Sequence, residues 1–336
     1  MYLSFYGLAE KPFNATPDPR FLYMSPAHRE ALAQLVYATR EHKGFVVLTG
    51  RVGTGKTTLL HALRQRLSAQ AAVSLVVNSS LSFDGILEYV LEDFGIAKGM
   101  ESRSQRLLAL KNFLVEREQT GEHTVLMLDE AHNLEAATLE QVRLLSNFET
   151  PNNKLLQILL VGQPELRAVL QLPELQQLKQ RIELRCQIPP LTRDEVREYI
   201  RTRLRVAGAR DLGVFSDAAV ERITQYSEGI PRVISLICDH SLLFGYADQK
   251  RRIDRQTVNQ AIAYLEDGGA PPRRLARVRG LISRRLLGVG VWSVAAMRWC
   301  LWGVAVALAA IVTILALRLD PTVLAFAQSM RHVVTR

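Results

Sequence analysis

The sequence predicts an α/β fold: a five-stranded parallel sheet covered by helices on both faces, followed by a small all-helical domain. Three observations carry this. Gly50-Arg51-Val52-Gly53-Thr54-Gly55-Lys56-Thr57 is a complete phosphate-binding P-loop, set between an apolar run and a helical pattern. Five short apolar runs alternate with stretches of helical spacing, the signature of buried parallel strands. After Pro189-Pro190 the helical patterns continue without intervening strands.

Taken in order, the segment through Pro12-Phe13 and Pro17-Asp18-Pro19-Arg20-Phe21-Leu22-Tyr23 is rich in proline and aromatics. It reads as an ordered, extended lead-in rather than a helix. Ser25 then caps a helix with Pro26 at its first position, and Leu32, Leu35 and Val36 give it an apolar face. The strand Phe45-Val46-Val47-Leu48 enters the P-loop, and Thr58 to Leu63 continue as a helix. Further strands are expected at Val73–Val77, Val125–Leu128, Leu156–Val161 and Ile182–Ile188. Helical patterns at Arg106–Leu110 and Leu139–Phe148 separate them. Ligand belongs at the carboxyl ends of such strands, where the P-loop already sits. Thr192-Arg193-Asp194-Glu195 is a capping box for a helix to about Arg205. Ser216-Asp217, Pro231-Arg232 and Asp254 open three more.

The 336 residues carry a net charge of +9, and its location decides what it means. Residues 273–298 hold seven arginines and no acid, whereas residues 1–272 balance to zero. The basicity therefore belongs to the C-terminal end, which argues for a membrane flank and against a nucleic-acid-binding body. From Trp299 to Leu317 there is no charged residue. At 1.5 Å per residue that run spans about 30 Å, the thickness of a bilayer core. The arginine excess on its N-terminal side places the body in the cytoplasm. A buried hydrophobic helix is the alternative. The expected organisation is a nucleotide-binding core over 1–190, a helical lid over 191–267, and an arginine-rich linker over 268–298. A transmembrane helix over 299–319 and a short non-cytoplasmic tail over 320–336 complete it. Met1-Tyr2-Leu3-Ser4 lacks the basic start and apolar core of a signal peptide, and three scattered cysteines make no disulfide framework or metal cluster.

The chemistry concentrates at a few positions. Gly50, Gly53, Thr54, Gly55 and Thr58 shape a main-chain cradle for a polyphosphate, with Lys56 reaching the β- and γ-phosphates. Thr57 and Asp129 are placed to hold Mg²⁺, the latter at the end of the apolar strand Leu126-Met127-Leu128. Glu130 beside it is suited to orient the attacking water. Gln163, in Val161-Gly162-Gln163-Pro164, falls beside the γ-phosphate. Arg181 is a candidate arginine finger for a neighbouring subunit, with Arg185 as competitor. Arg232 sits at a helix start, where a cation is disfavoured unless an anion offsets it, and is read as a γ-phosphate contact from the lid. His132 reads as structural, since neither a nucleophile nor a metal partner accompanies it.

The chain resembles AAA+ ATPases of the general secretion pathway protein A type over roughly residues 1–265. The likeness rests on Tyr6-Gly7-Leu8, Lys11-Pro12-Phe13, Pro17 through Tyr23, Gly44 through Gly50, Asp129-Glu130-Ala131-His132, Leu144 through Glu149, Leu156 through Leu166 and Gly229-Ile230-Pro231-Arg232. The resemblance implies ATP and Mg²⁺ as ligands and ATP hydrolysis. It also implies sensor roles for Gln163 and Arg232, a helical lid and homo-oligomeric, ring-like assembly. Its members serve envelope machinery at the bacterial inner membrane: secretin assembly, pilus biogenesis or exosortase-linked exopolysaccharide export. The short tail points to the exosortase- or pilus-associated branches, because secretion-type members carry a periplasmic peptidoglycan-binding domain. Two alternatives stand beside this reading. One is a DNA-dependent regulator similar to the transposition ATPase TnsC, suggested by the lid arginines Arg193, Arg197, Arg201, Arg203, Arg205 and Arg210. Their acidic neighbours Asp194, Glu195, Glu198 and Asp211 favour a solvated helix face instead. The other is a nucleotide-gated scaffold with little turnover, which the intact Glu130 disfavours.

Overall fold

The protein is described by a computed structural model covering residues 2–14, 18–67, 71–77, 81–96, 99–151 and 153–267. The expected linker (268–298), transmembrane helix (299–319) and tail (320–336) lie outside the described residues, as does Pro17. No helix among the described residues is long and apolar enough to cross a membrane. The described residues as far as Leu265 belong to one compact unit.

Five strands build the sheet: β1 (Phe45–Gly50), β2 (Ala71–Val76), β3 (His123–Leu128), β4 (Gln157–Gly162) and β5 (Ile182–Ile188). All pair in parallel, in the order β2-β3-β4-β1-β5. The central strands β1 and β4 are buried at every position, and apolar runs of this kind need cover on both faces. The edge strand β5 differs, with Glu183, Arg185 and Gln187 exposed.

The helices are α1 (Tyr2–Phe5), α2 (Pro26–Arg40), α3 (Lys56–Leu67), α4 (Phe83–Asp93), α5 (Arg103–Gln119) and α6 (Ala136–Leu145). Two short ones, α7 (Leu166–Val169) and α8 (Gln176–Gln180), precede β5. Then come α9 (Arg193–Val206), α10 (Asp217–Ser227), α11 (Pro231–Ala247) and α12 (Arg255–Glu266), with no strand among them. Apolar clusters fill both sides of the sheet: Ile86, Leu87, Leu126 and Leu139 belong to one, and Leu32, Leu59, Leu60 and Met127 to the other. Burying a leucine or phenylalanine fully is worth about 1.5–3 kcal/mol, so these layers dominate the favourable side of folding.

Local signals act as their chemistry requires. Ser25 accepts from the His28 N–H, and Ser102 and Thr192 each form a full capping box, with Gln105 and Glu195 respectively. The helix expected to reach Phe148 stops at Leu145, where Ser146 caps it and its Oγ donates to the Arg143 carbonyl. The lead-in is not uniformly extended, because Tyr2–Phe5 is helical and Pro19–Phe21 is a 3-10 turn. Its aromatics set this arrangement. Tyr2, Tyr6, Phe13 and Phe21 are buried in the same cluster as Tyr199, Ile234 and Ile237 of the helical region, not against the sheet. Tyr2 donates to Asp239 Oδ1 at 2.7 Å and Tyr6 to the Lys250 carbonyl at 2.9 Å. Burial raises both phenols, Tyr6 to about 12, so both stay neutral donors.

Candidate functional site

Strand order assembles the site. Because β4 lies between β3 and β1, their carboxyl ends bring together Asp129-Glu130, Gln163 and the P-loop. The loop from Arg51 to Gly55 joins the end of β1 to the first turn of α3. Gly53 and Gly55 have φ of +77° and +98°, a region in which a side chain is strained. A Cβ on Gly53 would also come within 2.8 Å of Arg232 Cβ. Thr54 Oγ1 pins the turn by donating to the Arg51 carbonyl at 2.8 Å.

Lys56 is only 5 % exposed, and its Nζ donates to the Gly50 carbonyl at 2.9 Å and the Arg51 carbonyl at 3.3 Å. Burial pulls its pKa down, while the charges of Glu130, Asp129 and Glu165 pull it back up. A buried ammonium of this kind with one donor left over fits a polyphosphate. Thr57 Oγ1 donates to Asp129 Oδ2 at 2.7 Å. Asp129, 2 % exposed, also accepts at Oδ1 from the Glu130 N–H at 2.9 Å, and its own N–H donates to the Val76 carbonyl. A hydroxyl and a buried carboxylate in contact form the all-oxygen set that suits Mg²⁺.

Glu130 has φ +52°, left-handed backbone that costs a non-glycine residue about 1–2 kcal/mol. Its Oε2 is buried and makes no hydrogen bond among the described residues, although His132 Nδ1 approaches to 3.4 Å. Such an atom has room to accept a hydrogen bond from a water. The Gln163 amide, expected beside the γ-phosphate, contacts His132: Gln163 Nε2 is 2.9 Å from His132 Nε2.

A cleft of about 720 Å³ opens along the P-loop. Val52 through Thr58 and Glu130 line one side, and Phe13, Tyr23, Leu191 and Leu236 offer apolar wall. Arg232 also lines it, and its N–H donates to the Gly53 carbonyl at 3.3 Å, so the start of α11 rests on the P-loop. Arg51 and Glu228 add an ion pair of 2.6 Å between the same two regions. Arg181 stands apart. It caps α8 at the amino end of β5, and its guanidinium donates to Ser146 Oγ. Arg185 projects from the exposed face of β5. Neither lines this chain's own cleft.

Several contributors were invisible in the sequence. Glu165 acts on Lys56 only through the turn after β4. His28 bridges the Thr54 carbonyl (2.9 Å from Nε2) and Ser25 Oγ (2.7 Å from Nδ1), tying α2 to the P-loop. Burial holds its pKa down, so it stays neutral. Arg167 donates to Thr49 Oγ1 at 3.2 Å and Gln187 Oε1 at 2.6 Å, linking the ends of β1 and β5. Only the Ser25-Pro26 cap hinted at any of this, by placing His28 in a first helical turn.

Comparison with known proteins agrees with the geometry. Residues 39–170 match the family described as an AAA domain. General secretion pathway protein A of Aeromonas hydrophila is 40 % identical over 269 residues, covering 80 % of this chain and 49 % of that protein. The chain thus spans about half the length of that relative. Among solved structures, the ORC2 protein of Aeropyrum pernix has a TM-score of 0.58 at 19 % identity, over 79 % of this chain and 74 % of that one. Cdc6p of Pyrobaculum aerophilum has 0.55 at 22 % identity, over 71 % and 68 %. At those identities the structural likeness speaks for the fold alone. With the P-loop, the five-stranded parallel sheet and the secretion-pathway relative in agreement, this chain belongs to the AAA+ family, of the general secretion pathway protein A type.

Proposed function

We propose that this chain binds ATP with Mg²⁺ and hydrolyses it, as the membrane-anchored switch of a cell-envelope assembly system. The observation that supports hydrolysis rather than binding alone is Glu130. Its buried, unpartnered Oε2 opens beside a Thr57–Asp129 pair and a buried Lys56. The P-loop amides and Lys56 hold the β- and γ-phosphates, and Thr57 and Asp129 hold the metal ion. Bound there, Mg²⁺ would supply neutralisation of the charge that develops during phosphoryl transfer. Glu130 orients water toward the γ-phosphate, Arg232 contacts that phosphate from the lid, and Arg181 of a neighbouring subunit completes the site. Phosphate loss removes the anion that Arg232 answers. Because α11 touches Gly53 directly, the loss is transmitted to the lid.

The uncharged run after the arginine-rich stretch supports an inner-membrane anchor with the ATPase in the cytoplasm. The relative's name, general secretion pathway protein A, supports a place in a secretion system. Of the lid arginines suggesting DNA, Arg193, Arg197 and Arg205 are paired with Glu221, Asp194 and Asp217, and Glu198. That supports a solvated helix face. The test is the ATPase rate of the full chain in anionic vesicles, with and without duplex DNA. Turnover that rises with vesicles or protein concentration supports an anchored assembly ATPase. Turnover that rises only with DNA, and falls with salt, overturns it in favour of a transposition-like regulator.

A further inference from the structure

Helix α2, the first after the lead-in, delivers a side chain to the P-loop. His28 stands in its first turn, 4 % exposed, and lines the cleft together with Thr54 and Gly55. Ser25 fixes it there: its Oγ accepts from the His28 N–H at 3.3 Å and meets the ring Nδ1 at 2.7 Å. Leu32 and Leu35 of the same helix share a buried cluster with Leu59 and Leu60 of α3, so the imidazole rides on a frame anchored in the core. Ring Nε2 lies 2.9 Å from the Thr54 carbonyl oxygen. A carbonyl only accepts, so Nε2 carries a proton and donates it. No main-chain N–H among the described residues takes that carbonyl, whereas the Gly55 carbonyl accepts from the Leu59 N–H at 2.9 Å.

The peptide between Thr54 and Gly55 has nothing in its own sequence to fix its direction. Turning it over changes ψ of Thr54 and φ of Gly55, and glycine accepts either sign of φ. Gly55 adopts +98°. Because a trans peptide is planar, its N–H points opposite to its C=O. With the Thr54 carbonyl held by His28, the Gly55 N–H is turned away from α2, and it makes no hydrogen bond among the described residues. The ring also fills the space beside the loop, since a Cβ on Gly55 would lie 3.2 Å from Nε2. We infer that His28 is a positioning residue for nucleotide binding, locking the Thr54–Gly55 peptide so that the Gly55 N–H faces a phosphate; the inference rests on the ATP-binding reading above.

The test is nucleotide binding by the full chain, read with a fluorescent ATP analogue and by competition with inorganic tripolyphosphate. His28→Ala is expected to weaken both ligands by about 10-fold, the worth of one charge-assisted hydrogen bond. KM for ATP should rise by the same factor while kcat at saturation holds, because the amide serves bound substrate and transition state alike. His28→Gln, which carries an N–H near the place of Nε2, should recover most of the affinity. His28→Leu, which fills the space without a donor, should not. That pair carries the test if the alanine variant does not fold. Nitrogen-15 resonances of the ring, read without nucleotide, should show a proton on Nε2. Equal affinity in the glutamine and leucine variants, a loss confined to ATP and spared for tripolyphosphate, or an unprotonated Nε2 would overturn the role. Parental binding that His28→Ala leaves unchanged sinks this role alone. A parental chain that binds neither ligand sinks the ATP-binding reading and this role together.

Discussion

Lys56 and Asp129 show how burial sets the chemistry of this site. An ammonium and a carboxylate that are 5 % and 2 % exposed are costly unless something repays their desolvation. Lys56 has two main-chain carbonyls and Asp129 has Thr57 and the Glu130 N–H, which leaves the ammonium under-satisfied until an anion arrives. Lys56→Ala should therefore weaken ATP binding by about 10–100-fold, the worth of one charge-assisted hydrogen bond, as read by titration with a fluorescent nucleotide. Unchanged affinity would mean that Lys56 does not face the phosphates. The residues of the P-loop and the Asp129-Glu130 pair were legible because each follows an all-apolar strand. That Thr57 and Asp129 touch was not legible, since 72 positions separate them and only strand order closes the gap. His132 reads as structural because neither a nucleophile nor a metal partner accompanies it, and its ring lies between Glu130 and Gln163.

At the scale of elements, helix ends and the entry to the lid region carry the sharpest consequences. Asp254 Oδ1 accepts from the Thr257 N–H and Oδ2 from Lys250 Nζ, each at 2.8 Å, at the start of α12. Those two bonds, Lys250 first, hold its pKa near 2. Because the folded value is depressed, its stabilisation is present above the ordinary carboxylate range and lost as pH falls from about 4 through about 2. Asp254→Ala should cost about 1 kcal/mol near neutrality. Parental and variant Tm curves should converge toward pH 2, and parallel curves would contradict the assignment. Gly229 is tighter still: φ is +74°, and a Cβ would lie 2.1 Å from the Leu191 carbonyl oxygen. Gly229→Ala should lower Tm and cost at least about 1–3 kcal/mol, with calorimetry as the check. The caps at Ser25, Thr192 and Ser216 could be read directly, because a cap needs only a side chain and an N–H two or three residues on. Helix α4 escaped the sequence reading, since its burial of Ile86, Leu87 and Val90 depends on packing against β2 and α5. The alternating exposure of β5, an edge strand, follows the apolar–polar alternation of Ile182-Glu183-Leu184-Arg185-Cys186-Gln187-Ile188.

For the whole molecule, Arg181 at the amino end of β5 cannot serve its own P-loop, so activity should depend on association. Arg181→Ala and Glu130→Gln should each be inactive alone yet recover turnover when mixed, because one chain then supplies the finger and its neighbour the water-directing carboxylate. Failure to complement would turn attention to Arg185. The most direct test of the central claim is the rate of ATP hydrolysis by the full chain against that of Glu130→Gln, with nucleotide affinity measured in parallel. The account predicts hydrolysis by the parent, a loss of about 10²–10⁴-fold in the variant and retained ATP binding, since only the group that directs water is altered. Hydrolysis at the parental rate in Glu130→Gln, or none in the parent, would contradict it.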